Sequence, residues 1–389
     1  MDGFQTGGRR LGRILLQIAL AALAWRAISA FAAFFSNVVF PLDQTQPFSV
    51  FARPHYFWDA LARYDAGWYF GIARNGYEFV DGGRSNLAYF PAYPVSMGYL
   101  GYFMGGGQAN YYIAGMIISW TAFAGAMVML YRLARLDLDH DGAARACVYT
   151  AVFPFAFFYG AVYPTSLFLF LSVTTFYAFR KGHWLLGGIA GALVTCTRVN
   201  GILILPALAW IVYQHCRSER NEAGRAVTAL AAVPLGLVVY SVYTYSLSGS
   251  LIEYAHSIQR WNYTPGQVPS ALFTTLVAGI GDLYTFLTTR TTGPYDFLNG
   301  MAAAAGIVAV PFIWRRFGAA YALYVAANLA LPLSSNEFEG LGRYTAVMFP
   351  LFLWLATFRA TITQAGILCT FAMFYMLCQA LFVNIHPIF

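Results

Sequence analysis

From Ile14 to Val38 the chain carries a single charged residue, Arg26, and apolar runs of this kind recur to its end. One helix needs roughly 20 apolar residues to cross a hydrocarbon core of about 30 Å. Inside that core the backbone has no water to bond, so each run must close its own hydrogen bonds as a helix. Candidate spans fall near 14–38, 109–131, 145–161, 164–179, 184–198, 200–215, 226–246, 297–314, 319–334, 344–358 and 363–384. That makes about eleven. The composition agrees, because 59% of the 389 residues are hydrophobic and 10% are charged, against about a quarter charged in soluble domains. The expected fold is an all-α polytopic membrane protein, one membrane-embedded unit over residues 1–389.

Two regions need a separate reading. The stretch 86–104 is apolar, but "YFPAYP" and the glycines after it predict a short or broken segment rather than a crossing, and 271–288 is similar. The N-terminal "GGRRLGRILLQIALAALAW" resembles a signal peptide. Its apolar run nevertheless continues to Phe40 without a small-residue cleavage site, which predicts a retained first helix. The five cysteines, Cys147, Cys196, Cys216, Cys369 and Cys378, have neither metal nor disulfide spacing.

Charge then orients the spans. Cytoplasmic loops of membrane proteins collect Lys and Arg. With the N-terminus inside, most of the 23 basic residues, from Arg9 and Arg10 through Arg132, Arg180 and Arg315 to Arg359, fall on that side. The net charge of +7 therefore serves topology and does not point to nucleic acid. The opposite side holds two long loops, about 39–108 and 247–296, and most of the acids, Asp43, Asp59, Asp65, Glu78, Asp81, Glu253, Asp282, Asp296, Glu337 and Glu339. None of the 16 Asp and Glu lies deep in an apolar run, where a coupling carboxylate of an ion-driven transporter would sit. Arg26, the charge inside the first run, either snorkels or pairs with a neighbouring helix.

Chemistry is thus expected on the outer face. "RYDAGWYFGIARNGY", residues 63–77, has its rings and aliphatic side chains at helical intervals, which predicts an interfacial helix with Asp65 near its start. An aspartate there can simply cap the helix, or it can act on a substrate. Arg63, Trp68 and Tyr77 of the same stretch are candidate substrate contacts. "YPTSLFLFL" adds Tyr163, "TRVNGILILP" adds Arg198 and Asn200, and "GRYTAVMFPLF" adds Arg343 and Tyr344. Arginines at the outer ends of apolar helices can face lipid headgroups, but two of them with tyrosines also suit a phosphate, which accepts paired N–H donors. In "EYAHSIQRWNYTPGQVPS", residues 253–270, His256, Arg260, Trp261 and Tyr263 fit either an acceptor site or an interfacial aromatic belt. Asp59, Asp65, Glu78 and Asp81 offer carboxylates to a divalent metal, but no spacing requires one, and no cofactor is implied. His55 is at most a supporting residue, and His140, His183, His215 and His386 give no metal spacing.

Taken with "LAYFPAYP", these motifs resemble, in order and rough spacing, those of the PIG-V family of mannosyltransferases, from about residue 55 to 360. The resemblance implies a GT-C-type membrane glycosyltransferase that transfers a sugar, mannose in the eukaryotic members, from a polyprenyl phosphate donor to an acceptor outside the cytoplasm. It places the family's motif aspartate on Asp65, its "TRxxG" arginine on Arg198 and its "RY" pair on Arg343 and Tyr344. Where relatives commonly carry Glu in "YTESLF", this chain has Thr165 in "YPTSLF", which bears on donor or acceptor choice.

A sugar phosphate ester has a good leaving group, so one base suffices, with inversion. Asp65 is expected to be that base, although a retaining reaction through Glu78 or Asp81 stays open. The expected setting is a bacterial-type inner membrane with the active site on the extracytoplasmic side, and the acceptor is a glycolipid, a polysaccharide or a protein. A polyprenyl-linked lipid flippase and a non-catalytic assembly subunit are the alternatives. The charge asymmetry puts the C-terminal "HPIF" outside. A reporter fused after Phe389 is therefore expected to be active only outside the cytoplasm, and cytoplasmic activity would overturn this topology.

Overall fold

The computed structural model of the chain describes residues 2–43, 57–260, 281, 284, 285, 287–289, 294–334, 340–386 and 388. His55, Trp261, Tyr263, Asp282, Glu337 and Glu339, most of segment 271–288 and part of the C-terminal "HPIF" lie outside these residues. Every longer regular element among them is an α-helix. In chain order these are α1 (Asp2–Val39), α2 (Ala66–Asn75), α3 (Ala92–Phe103), α4 (Gln108–Ala134), α5 (His140–Val152), α6 (Thr165–Arg180), α7 (Trp184–Thr195) and α8 (Leu205–Ser218). They continue as α9 (Ala223–Ala232), α10 (Leu235–Ser248), α11 (Glu253–Gln259), α12 (Pro294–Phe317), α13 (Ala319–Leu333), α14 (Leu341–Ala346), α15 (Phe349–Leu355) and α16 (Thr361–Val383).

Among the described residues, six stretches are long and apolar enough to cross a membrane: Arg10–Val39, Gln108–Ala134, Val199–Ser218, Ala223–Ser248, Phe297–Phe317 and Thr361–Val383. The other five expected spans are shorter helices, so six of the about eleven have the length and apolarity of a full crossing. Proline supplies much of the reason. Phe153 is held extended ahead of Pro154, with ψ 143°, and this stops α5 after 13 residues. The 344–358 stretch is split into α14 and α15, of 6 and 7 residues, with Pro350 opening the second. The 86–104 stretch is a short turn followed by the 12-residue α3, a broken segment rather than a crossing.

α4 lies at the centre, packed on α1, α3 and α6. Arg26 faces inward from α1 and is 1% exposed. It donates to the carbonyls of Ala156 (2.8 Å) and Ala151 (3.2 Å) and lies 4.5 Å from the Phe123 ring centroid. It thus pairs with neighbouring segments and does not snorkel.

The bundle has two chemically different ends. α6 starts two residues after Tyr163 and ends at Arg180, roughly 24 Å away at 1.5 Å per residue. At the Arg180 end the basic residues meet. Arg180 pairs with Asp137, Arg359 pairs with Asp139, and Arg145 donates to the Ala356 carbonyl. At the Tyr163 end, α1 and α16 are tied together by Asn37 donating to the Val383 carbonyl and by the Asp43 amide donating to the Asn384 carbonyl.

Close helix packing rests on one glycine in particular. A Cβ on Gly236 of α10 would fall inside contact distance of the Ala192 carbonyl oxygen, the Thr195 hydroxyl and the Cys196 amide of the facing segment. Two of these are backbone atoms and cannot rotate away. Gly236→Ala is expected to lower the detergent-solubilised melting temperature, with an overpacking cost of about 1–3 kcal/mol. Gly300→Ala, where a Cβ meets nothing within 4 Å, is the control expected to be neutral or slightly stabilising. Equal melting of both variants would refute the close approach.

Candidate active site

The turn into α2 begins with backbone strain. Tyr64 has φ 51°, an uncommon conformation for a tyrosine. It is held there by its phenol, which donates to the His386 carbonyl (2.6 Å), and by its ring against Phe382. Asp65 follows at the N-cap position of α2, yet its side chain makes no capping bond. The carboxylate is used across the fold. Arg343 donates to Oδ2 at 3.0 Å and Tyr89 donates to Oδ1 at 3.2 Å. The Asp65 amide donates to the Tyr163 hydroxyl (3.2 Å), which itself donates to the Arg63 carbonyl.

Arg343 sits in α14 with its guanidinium against the rings of Phe158 and Tyr163, 5.7 Å from each centroid. Burial works against its charge, but the Asp65 carboxylate together with Tyr69 and Tyr163 more than offsets it and holds the guanidinium above its ordinary range. Arg343 is a cation at any working pH. A guanidinium has five N–H donors, and Asp65 takes one of them. Arg198 lies nearby with its guanidinium 4.9 Å from the Tyr344 centroid and 5.6 Å from that of Phe168. Tyr69 ties the groups together. Burial first, then the Asp65 carboxylate, push its phenol above the ordinary range, while Arg343 and Arg198 pull it back. One carboxylate and two cations therefore share one compartment walled by aromatic rings.

Of the residues singled out in the sequence, Asp65, Tyr163, Arg198, Arg343 and Tyr344 come together here. Trp68 joins at the edge, stacked on Tyr89 at 5.8 Å with an interplanar angle of 12°. Others have different partners. Arg63 is 2% exposed, paired with Asp59 at 3.2 Å and donating from Nε to the Val383 carbonyl at 3.0 Å, so it braces the chain against α16. Tyr77 donates to the Tyr89 carbonyl at 2.7 Å. Asn200 donates to Asn328 at 3.0 Å. Arg260 and His256 meet the carboxylate of Glu253, at 2.9 and 3.4 Å, and Arg260 also reaches the Gly83 carbonyl. Thr165 is fully buried as the first residue of α6.

Tyr89 and Tyr69 were not singled out in the sequence. "LAYFPAYP" marks a turn but gives no sign that one of its phenols meets a carboxylate 24 residues earlier. The four carboxylates considered for a metal are also dispersed. Asp59 is committed to Arg63, while Glu78 and Asp81 are exposed. Among the described residues, His215, Glu219 and Glu222 do gather within 4.8 Å of one another, at the end of α8. They lie among the basic loops, not at Asp65.

The family model of the PIG-V mannosyltransferases matches residues 11–247, more than half of the chain and including Asp65, Tyr89, Tyr163 and Arg198. The chain belongs to the PIG-V mannosyltransferase family. No curated protein sequence matches it. Solved structures similar to it include the Archaeoglobus fulgidus oligosaccharyltransferase in its apo form, at 13% identity and a TM-score of 0.49, covering 94% of this chain and 55% of that one. The same enzyme in complex with an inhibitory peptide and a dolichol-phosphate gives 13% identity and a TM-score of 0.48, with the same coverage. The chain spans about half the length of the solved structures it matches.

For a PIG-V family member, the cation on Asp65 can be tested directly. Arg343→Ala is expected to lower sugar transfer by about 100-fold or more, the usual loss when one donor to developing charge is removed. Arg343→Lys should recover only part, since an ammonium is a point charge without the planar fork. Wild-type kinetics in Arg343→Ala would remove it from the site.

Proposed function

We propose that the chain is a GT-C-type glycosyltransferase whose donor is a polyprenyl phosphate sugar, a hexose and, by its family, mannose. The acceptor is a hydroxyl of a glycolipid, a polysaccharide or a protein on the outer face of a bacterial-type inner membrane. The clustering of basic residues at the opposite end of the bundle from Asp65 supports that orientation. The observation that carries the reaction is the Asp65 carboxylate. It does not cap α2 and is held between Arg343 and Tyr89.

The steps balance without a cofactor. The acceptor oxygen attacks the anomeric carbon as the bond from that carbon to the phosphate oxygen breaks, and the polyprenyl phosphate leaves with the electron pair. The acceptor proton goes to Asp65, and attack from the face opposite the leaving group inverts the anomeric centre. Arg343 and Arg198 supply fixed positive charge where the phosphate gains negative charge. In the resting site Asp65 occupies Arg343, so an arriving phosphate and the carboxylate share one cation.

Replacing the base separates this reading from its alternatives. Asn caps a helix about as well as Asp, but it cannot take a proton. Asp65→Asn is expected to lower transfer roughly 100- to 10,000-fold. Donor affinity should hold or rise, because Arg343 loses its competing carboxylate. Near-normal transfer by purified Asp65→Asn would end the mechanism. A wild-type protein that makes no new glycoside from labelled polyprenyl phosphate sugar would favour a flippase or an assembly subunit.

A further inference from the structure

Tyr89 is held more tightly than a loop residue at a membrane surface needs to be. Its carbonyl accepts from two phenols, Tyr77 at 2.7 Å and Tyr240 at 3.1 Å, and Tyr240 also bonds the Leu87 carbonyl at 2.8 Å. Three residues later the Ala92 amide donates to the Cys196 carbonyl at 3.0 Å. The Tyr89 ring is stacked on Trp68 and meets Tyr69 edge-on at 5.3 Å. With backbone and ring both fixed, the phenol has one direction in which to point, and there it meets Asp65 Oδ1 at 3.2 Å. Precise placement of a reacting group through such supports is a usual requirement for catalysis.

We infer that Tyr89 is a positioning residue for the transfer reaction: together with Arg343 on Oδ2, its phenol on Oδ1 locks the plane of the Asp65 carboxylate and so fixes where the remaining lone pair of Oδ1 points. The inference rests on Asp65 being the base. Each carboxylate oxygen accepts about two hydrogen bonds, so a single donor on Oδ1 leaves room for the acceptor hydroxyl. Burial, and then the Asp65 carboxylate itself, push the Tyr89 phenol well above its ordinary range. It therefore stays protonated and donates throughout the working range of the enzyme. Among the described residues, the other charged or titratable groups of this compartment are Arg343 and Tyr344 from α14, Arg198 ahead of α8, Tyr69 from α2 and Tyr163 ahead of α6.

Tyr89→Phe keeps the ring, its stack on Trp68 and the carbonyl clamp, and removes only the hydroxyl. Turnover is expected to fall about 10- to 100-fold, as for loss of a hydrogen bond to a charged group, with donor KM unchanged. The acidic limb of the pH–rate profile should move to higher pH, because a carboxylate that loses a donor holds its proton more tightly. A role confined to packing would move neither turnover nor the limb. Should Tyr89→Phe not fold, 3-fluorotyrosine at position 89, a stronger donor of nearly the same shape, is expected to move the limb the other way. Wild-type turnover and limb in either variant would overturn the inference, as would a raised donor KM at unchanged turnover. Asp65→Asn assayed alongside separates the two readings. If it is inactive while Tyr89→Phe behaves as wild type, only the role of Tyr89 fails. If Asp65→Asn is active, the base itself fails.

Discussion

The ion pair between Asp65 and Arg343 joins positions 278 residues apart, and the arrangement of the rest of the site follows from it. One partner starts α2 in the first long loop, and the other lies in the short α14 near the far end of the chain. With side chains 25% and 21% exposed, the pair is neither a free surface contact nor a sealed one. Surface pairs contribute little to stability, and sealed ones cost about as much in desolvation as they return. Its consequence is therefore placement. It obliges the strained turn at Tyr64, the wall formed by Phe158 and Tyr163, and the end of α16 to assemble around a single point.

Such a site requires irregular backbone at the end of an apolar bundle, and irregular backbone leaves carbonyls without helical partners. Tyrosine solves this repeatedly. Tyr240 donates to the carbonyls of Leu87 and Tyr89, Tyr324 to that of Val347 and Tyr159 to that of Ala346. Each ring is 1% exposed or less. A phenol can lie in apolar surroundings and still reach one carbonyl with its hydroxyl. The 27 tyrosines of the sequence thus do more than form interfacial belts. They allow a turn such as 86–91 to persist where a loop would otherwise expose unpaired polar groups.

How much of this could be read beforehand depended on whether the determining contact was local. The six long helices were legible because hydropathy over roughly 20 residues is a local property. The other five apolar runs form shorter helices, and in two of them an apolar window did not register the breaks at Pro154 and Pro350. Asp65, Arg198, Arg343, Tyr163 and Tyr344 were legible as motif positions. The assignment of Arg63 to substrate overlooked a local signal, since Asp59 stands one helical turn earlier, the spacing at which an acid and a base pair. Tyr89 carried no local signal, because its partner, its stack and one carbonyl clamp come from the stretch 63–77 and the other clamp from Tyr240, none of them within one helical turn of it.

Comparing the arginines shows what separates support from chemistry in such a chain. Arg26 and Arg63 are each almost wholly buried, at 1% and 2% exposure, and both direct donors at main-chain carbonyls of distant segments. Arg63 is further neutralised by Asp59, and burial still lowers its pKa from the ordinary value. Both act as permanent cross-links whose charge is spent on the fold. Arg343 differs in partner and in access. Its partner is a single carboxylate, and its side chain keeps a fifth of its surface open. A guanidinium that gives one N–H to a carboxylate at the rim of an apolar bundle can still offer its other donors to a second anion. A cation bound to carbonyls in the core cannot, because no anion can reach it without breaking the packing that holds α1 to the rest of the bundle.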